Sequence, residues 1–331
     1  MKTYPQLPSL LSFIQEGSIF VVVGHKEPDG DCVGSQLALA SVLRRLGKET
    51  ILCNEGPFKR PEVIPYETYF SATLPPAGVE DLRVIVVDCS SLERTGTLMD
   101  SLKPYPLAVV DHHATGKPEG TVIFLDPTAP SVTFLVLHII EALGLTPTKE
   151  EAELLLFGLC TDTGFFRHLD VGSEETFLAV ARLVQAGASP KKIFQWINGG
   201  KSLDSRFLLG RLLLRTQSYY GGKLLVSYET LEDSQEFGLE GRDSDMLYQL
   251  LQSVRGVEAI AVLRQESAET CTVGLRSRDS IDVSRIAALF GGGGHRQAAG
   301  FLAQATIPEL KERLIAAFGA FFEGPPPVPS E

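Results

Sequence analysis

Residues 18–31 read SIFVVVGHKEPDGD. A continuous apolar run breaks off into one histidine and two aspartates set among glycines. His25, Asp29 and Asp31 thus sit together directly after a segment that reads as a buried strand. The next stretch, VGSQLALASVLRRLG at 33–47, has the spacing of an amphipathic helix ending near Gly47. Three more apolar runs follow: KETILCN at 48–54, LRVIVVDCS at 82–90 and PLAVVDHH at 106–113. Uniformly apolar strands separated by helices predict an α/β fold with a mainly parallel sheet covered on both faces. SVTFLVLHIIEALG (131–144), TKEEAELLLFGLCTDTG (148–164) and SEETFLAVARLVQAG (173–187) read as helices, with Ser173 and Glu175 capping the last.

Past residue 187 the pattern changes. ASPKKIFQWINGGKSLDSRFLLG at 188–210 reads as a helical linker with a GG break. VEAIAVLRQES (257–267) and ETCTVGLRSRD (269–279) read as neighbouring strands of a mixed sheet. A helix and a four-glycine loop follow, then a further helix start or strand, and IPELKERLIAAFGAFFEG (307–324) reads as a terminal helix. The domain expectation is therefore 1–187, a linker at 188–210, a smaller C-terminal α/β domain at 211–323 and a disordered tail at 324–331.

With 331 residues the chain has room for two domains and their cores. A net charge of −11 disfavours wrapping long duplex DNA, although short anions can still bind where positive charge or metal is concentrated. The five cysteines are scattered, odd in number and without CxxC spacing, which favours a reducing compartment over disulfides or a thiolate zinc site. The N-terminus lacks a signal-peptide pattern, and the apolar runs are too short to span a bilayer. A soluble cytoplasmic protein is the expectation.

In an open parallel sheet the carboxyl ends of the strands share one edge, where ligands bind. GHKEPDGD, VVDCS and VVDHH each follow a strand, so His25, Asp29, Asp31, Asp88, Asp111, His112 and His113 should converge there. Asp162 of TDTG joins them from a helix end. One aspartate after a strand is more often a cap or turn residue; three such strand ends in one half of the chain are not explained by capping. Bare, these carboxylates would repel one another, and divalent cations relieve that repulsion. Carboxylate and imidazole ligands suit Mn²⁺, Mg²⁺, Co²⁺ or Fe²⁺ better than a structural zinc. Asp29 and Asp31 can point to two different ions, and Asp88 can bridge them. Two ions roughly 3.5–4 Å apart bind phosphate oxygens and activate water, so phosphate-ester or anhydride hydrolysis is implied. Gly30 and Gly34 would let the backbone approach the ligand, and the four glycines before His295 would do the same for a phosphate. His138, on an apolar helix face, reads as a packing residue, and His168 as a surface residue near the site.

GHKEPDGDCVGS, VVDCS, VVDHH, GLCTDTGFF and GGGGHRQAAG together resemble the DHH phosphoesterase family, the last being similar to its DHHA1 domain signature. The layout is most similar to its bacterial branch of bifunctional oligoribonucleases and PAP phosphatases. The resemblance implies two divalent ions, with Mn²⁺ expected and Mg²⁺ or Co²⁺ as alternatives. His25, Asp29 and Asp88 would hold one, and Asp31, Asp88, His112 and Asp162 the other. Asp111 would orient a histidine, and His113 would face the scissile phosphate. Asp31, Asp88, Asp111 and His113 are thereby the catalytic candidates. A DHHA1 domain would grip the rest of the substrate through Gly292, Gly293, Gly294, His295, Arg276 and Arg278, with the active site in the cleft between domains. The implied activity is hydrolysis of very short RNA to 5′-mononucleotides, with 3′-phosphatase action on pAp. The alternatives are a phosphodiesterase for pApA or cyclic di-AMP and a non-catalytic nucleotide sensor. Short RNA or small nucleotides would be the partners, with no long duplex DNA, no membrane, and a homodimer compatible with the family. Two departures stand out: Glu27, where asparagine is common, and Phe165–Phe166, where a glycine is frequent. The phenylalanines would either stack on a base or pack in the core.

Overall fold

Apolar runs become strands and amphipathic runs become helices through most of this computed structural model, which describes residues 4–75, 78–278 and 281–322. The chain divides into two units, Met1–Gly199 and Gly200–Glu331. The first runs α1 (Leu7–Glu16), β1 (Ile19–Val23), α2 (Gly30–Arg45), β2 (Glu49–Cys53), β3 (Leu82–Val87), α3 (Met99–Leu102), β4 (Leu107–Asp111), β5 (Val122–Leu125), α4 (Val132–Ala142), α5 (Lys149–Asp162), α6 (Glu174–Gln185) and α7 (Pro190–Asn198). Its five strands pair in parallel in the order β2-β1-β3-β4-β5. Phe20 and Val22 of β1 enter one core with the helices, and Val21 and Val23 enter another on the opposite face. Burial on both faces is why the strands are apolar without alternation. The strand order reverses direction between β1 and β3, and ligands of open α/β sheets bind at such a switch point.

The second unit holds α8 (Leu203–Leu214), β6 (Gln217–Tyr219), β7 (Leu224–Glu229), α9 (Leu231–Phe237), α10 (Ser244–Gln252), β8 (Ala259–Gln265), β9 (Thr270–Ser277), α11 (Val283–Leu289), β10 (Gly293–His295), β11 (Ala298–Gln304) and α12 (Ile307–Phe322). Its sheet order is β10-β11-β9-β8-β7-β6, with β7–β8 parallel and the other pairs antiparallel. The parallel sheet flanked by helices and the mixed second sheet match the expected fold class. In the expected linker, α7 belongs to the first unit and α8 to the second. The expected tail at 324–331 lies outside the described residues. Ser173 stands at the start of α6 without a capping hydrogen bond; its hydroxyl donates to the Asp170 carbonyl instead, 2.6 Å away. Among the described residues no helix is long and apolar enough to cross a membrane.

The glycines of α2 differ from expectation. A Cβ on Gly34 would lie 2.7 Å from the Leu154 carbonyl oxygen, and one on Gly30 would lie 2.5 Å from Thr161 Oγ1. Both glycines therefore admit α5 close against α2. Gly158 does the same from α5, since its Cβ would fall 2.4 Å from Thr133 Cγ2 and 3.0 Å from Asp31 Cα. This crossing places the first turn of α2 against α5. Gly158→Ala should lower stability by about 1–3 kcal/mol through overpacking, despite the helix-propensity gain of about 0.5–1 kcal/mol for alanine. Denaturant unfolding of the two proteins checks this, and equal midpoints would show that the crossing relaxes freely.

Candidate metal centre

Three of the five strands, β1, β3 and β4, deliver metal-type side chains at the carboxyl edge of the sheet. His25 lies just beyond β1, and its Nε2 is 3.4 Å from Asp88 Oδ2 and 3.8 Å from Asp29 Oδ1. Asp29 is the N-cap of α2, where its Oδ1 accepts hydrogen bonds from the Asp31 and Cys32 amides at 3.1 Å. Asp88, one residue past β3, has φ +55, a left-handed conformation uncommon for an aspartate. Its amide still donates to the Val110 carbonyl, so the sheet holds the strained residue in place. Asp111 closes β4, and its Oδ1 accepts from His113 Nδ1 at 2.8 Å. His112 places Nε2 3.4 Å from Asp162 Oδ2 and 3.8 Å from Asp88 Oδ1, while its Nδ1 is 3.1 Å from the Ala129 carbonyl oxygen. Asp162 is the last residue of α5.

Asp31 is fully buried in the first turn of α2. Its carboxylate accepts from the Val132 amide at 2.6 Å and from the Thr133 amide and hydroxyl at 2.9 and 2.6 Å. The positive end of α4 thus faces this carboxylate. Even so, burial raises the Asp31 pKa well above the ordinary range, and the Asp88 and Asp162 charges add to the rise against His112 and the Thr133 hydroxyl. Burial also lifts Asp162 to about 6, with Asp88 and Asp29 adding to it and His112 opposing. Burial opposes the charge of His25, yet hydrogen bonds and attraction from Asp29 and Asp88 push its pKa up to about 10. His25 in turn holds Asp29 below the usual carboxylate range despite burial.

Asp31, Asp88 and Asp111 are buried, and among the described residues none of them has a lysine or arginine ion-pair partner. The Asp111 Oδ2 atom is buried without a hydrogen-bond partner. Asp31, His112 and Asp162 offer ligand atoms within 4.8 Å of one another, as do Asp88, His112 and His113. Buried carboxylates whose only ion-pair partners among the described residues are imidazoles fit divalent cations. The structure also brings Cys32 Sγ within 4.8 Å of ligand atoms of His25 and Asp88, which its place one residue after Asp31 did not signal.

Residues 19–159 match the DHH family, N-terminal domain, and residues 221–324 match the DHHA1 domain. The chain is 30% identical over 308 residues to the bifunctional oligoribonuclease and PAP phosphatase NrnA of Thermus thermophilus, covering 91% of this chain and 89% of that protein. The chain belongs to the DHH phosphoesterase family. It is also 26% identical to the cyclic-di-AMP phosphodiesterase GdpP of Bacillus subtilis over 96% of its own length, and spans half the length of that relative. Among solved structures, an exopolyphosphatase-related protein from Bacteroides fragilis superposes with a TM-score of 0.83 at 23% identity, covering 98% of this chain and 99% of that one. That likeness shows a shared fold.

In the DHHA1 unit the other candidates fall on adjacent strands. His295 pairs with Ala298 across β10–β11, and Ala298 pairs with Arg276 across β11–β9. The Arg276 guanidinium lies over the Tyr248 ring, 4.5 Å from its centroid, and donates to the Leu275 carbonyl. Arg278 donates to the Gln252 carbonyl at 2.6 Å. The glycine run also has a local packing reason. A Cβ on Gly292 would lie 2.3 Å from the Gly300 carbonyl oxygen, and one on Gly294 would lie 2.6 Å from Ala298 O. Both glycines let the β10 hairpin close on β11; Gly293 has open space.

Phe165 and Phe166, at φ +56 and +73, pack on the hydrophobic core and meet Phe194 and Phe177 edge-on or tilted. Glu27 is exposed and pairs with Lys59 at 2.6 Å. His138 is buried between the edges of Tyr4 and Phe134, as a packing residue would be. His168 is exposed, with its ring beside Gly164.

A cation bound beside His25 requires its neutral imidazole. With that pKa at about 10, binding should expel a proton throughout the neutral range, and apparent affinity should rise with pH up to about 10. Calorimetric titration with Mn²⁺ in two buffers of different ionisation enthalpy measures the release. Heats independent of the buffer near neutral pH would contradict it.

Proposed function

We propose that this chain is a divalent-metal-dependent phosphodiesterase that hydrolyses very short RNA to 5′-mononucleotides and also removes the 3′-phosphate of pAp. The observation that carries the reading is the full ligand set around Asp88, found in a chain similar along nearly its whole length to a relative named for both activities. His25, Asp29 and Asp88 would hold one ion, and Asp31, Asp88, His112 and Asp162 the other. Ions held there would bind phosphate oxygens and offset the charge that develops as phosphorus is attacked.

The protein groups have separate tasks. The α4 N-terminus holds Asp31 in a single orientation through three hydrogen bonds. The Ala129 carbonyl accepts from His112 Nδ1, which turns Nε2 toward Asp88 and Asp162. Asp111 fixes His113 in the same way, and His113 would face the scissile phosphate. In the second unit His295 and Arg276 would contact the remainder of the nucleotide, with Gly293 leaving space for it.

A second reading, hydrolysis of pApA or cyclic di-AMP, is favoured by the similarity to GdpP over 96% of this chain. Product analysis with Mn²⁺ separates the two. The panel holds a labelled RNA dinucleotide and pentanucleotide, pAp, pApA, cyclic di-AMP and pyrophosphate. Rapid mononucleotide release from the RNA dinucleotide with slower pAp turnover is expected, and Asp88→Ala should abolish both. Action confined to pApA or cyclic di-AMP would favour the second reading. Full activity of Asp88→Ala would remove the bridging role. Metal binding without hydrolysis of any substrate would leave a nucleotide sensor.

A further inference from the structure

Arg94 is a half-buried arginine in the segment that follows Asp88. Its backbone is pinned, since its amide donates to the Ser91 carbonyl and its own carbonyl accepts from the Lys26 amide at 2.8 Å. Its Nη1 lies 3.2 Å from His113 Nε2. Three other arginines of the same unit end on carboxylates, Arg45 on Glu151, Arg83 on Glu16 and Asp81, and Arg182 on Glu141, while Arg44 and Arg167 donate to backbone carbonyls. Among the described residues Arg94 has no carboxylate partner, although Asp88 Oδ1 lies only 3.8 Å from the Nδ1 of the same His113.

The hydrogen-bond chain fixes what this corner can offer. Asp111 Oδ1 can only accept, so the His113 proton sits on Nδ1 and the lone pair on Nε2. A guanidinium can only donate, so Arg94 donates to that lone pair. The positively charged hydrogen-bond donor at this edge of the aspartate cluster is therefore Arg94, with His113 as its tether. One of its five N–H groups makes this bond, and the planar fork has further donors in bidentate phosphate geometry. A positive charge held beside an acidic centre, without neutralising any of its carboxylates, suits an anion that arrives with its own charge.

We propose that Arg94 binds the substrate phosphate directly, gripping non-bridging oxygens of the phosphodiester, while His113 positions the guanidinium. This rests on the phosphoesterase reading and assigns to Arg94 a contact that the sequence placed on His113.

The test uses the Mn²⁺-loaded full chain, with AMP and adenosine as probes. Arg94→Ala should weaken AMP by about 10- to 100-fold, the range of a lost charged hydrogen-bond pair, and leave adenosine and Mn²⁺ affinity unchanged. Arg94→Lys, which keeps the charge without the fork, should recover part of the loss. His113→Ala, which removes the tether but not the guanidinium, should weaken AMP less than Arg94→Ala does. AMP affinity unchanged in Arg94→Ala would overturn the proposal. So would a His113→Ala loss as large as that of Arg94→Ala, because Arg94 would then act only by orienting the imidazole. A wild-type protein that binds AMP no better than adenosine would remove the phosphoesterase reading and this contact together, whereas tight wild-type AMP binding with an indifferent Arg94→Ala would remove only the contact.

Discussion

The arrangement turns on Asp31, a carboxylate buried where two other carboxylates already lie. Burial opposes its charge, and Asp88 and Asp162 oppose it further. What holds the side chain there is the first turn of α4, through the Val132 amide and the amide and hydroxyl of Thr133. A helix N-terminus supplies donors that have no partner within the helix and a favourable field for an anion. The position of α4 relative to α2 thus decides whether the acidic cluster can exist. That relation is set by close packing, in which bare Gly34 and Gly158 leave room for Thr133 of α4, whose Cγ2 lies 3.2 and 2.4 Å from where their Cβ atoms would stand.

The same economy appears at the strand ends. Asp88 departs from β3 in a left-handed conformation, and this turns its two oxygens toward histidines from different loops: Oδ2 faces His25, and Oδ1 faces His112. A strained backbone survives only where its surroundings over-determine it. Here the Asp88 amide remains bonded to β4. Strain, burial and like charge concentrate on one edge of the sheet, while the strands beneath it are uniformly apolar and paired in regular parallel register.

Much of this was legible in the sequence, for physical reasons. Strands buried on both faces are written as unbroken apolar runs, so β1, β3 and β4 stood out, and with them the edge where His25, Asp88, Asp111, His112 and His113 gather. β5 was missed because it has only four residues and Ile123 is 37% exposed. The hold of Thr133 on Asp31 was invisible because the two are 102 residues apart and a threonine at a helix start reads as ordinary capping. The glycines were only partly legible for a related reason: composition shows that a backbone must come close to something, but not to what. For Gly292 the neighbour is Gly300 of its own hairpin, and for Gly34 it is α5.

Substrate choice has to be sought beyond the acidic cluster. The chain is similar along almost its full length both to an oligoribonuclease and PAP phosphatase and to a cyclic-di-AMP phosphodiesterase. A centre that only coordinates cations and phosphate oxygens discriminates poorly among linear dinucleotides, cyclic dinucleotides and bisphosphates, because all of them present the same oxygens. Discrimination needs groups whose geometry is fixed but which the cluster does not consume. Arg94, which would grip those shared oxygens, does not supply it. Arg276 is placed to, its guanidinium held over Tyr248, with Gly274 bare because the tyrosine hydroxyl would lie 2.1 Å from a Cβ there. A side chain at Gly274 would therefore displace the ring on which the guanidinium rests. A change at such an arginine leaves the acidic cluster intact, whereas loss of an aspartate would remove a ligand that a bound cation would need.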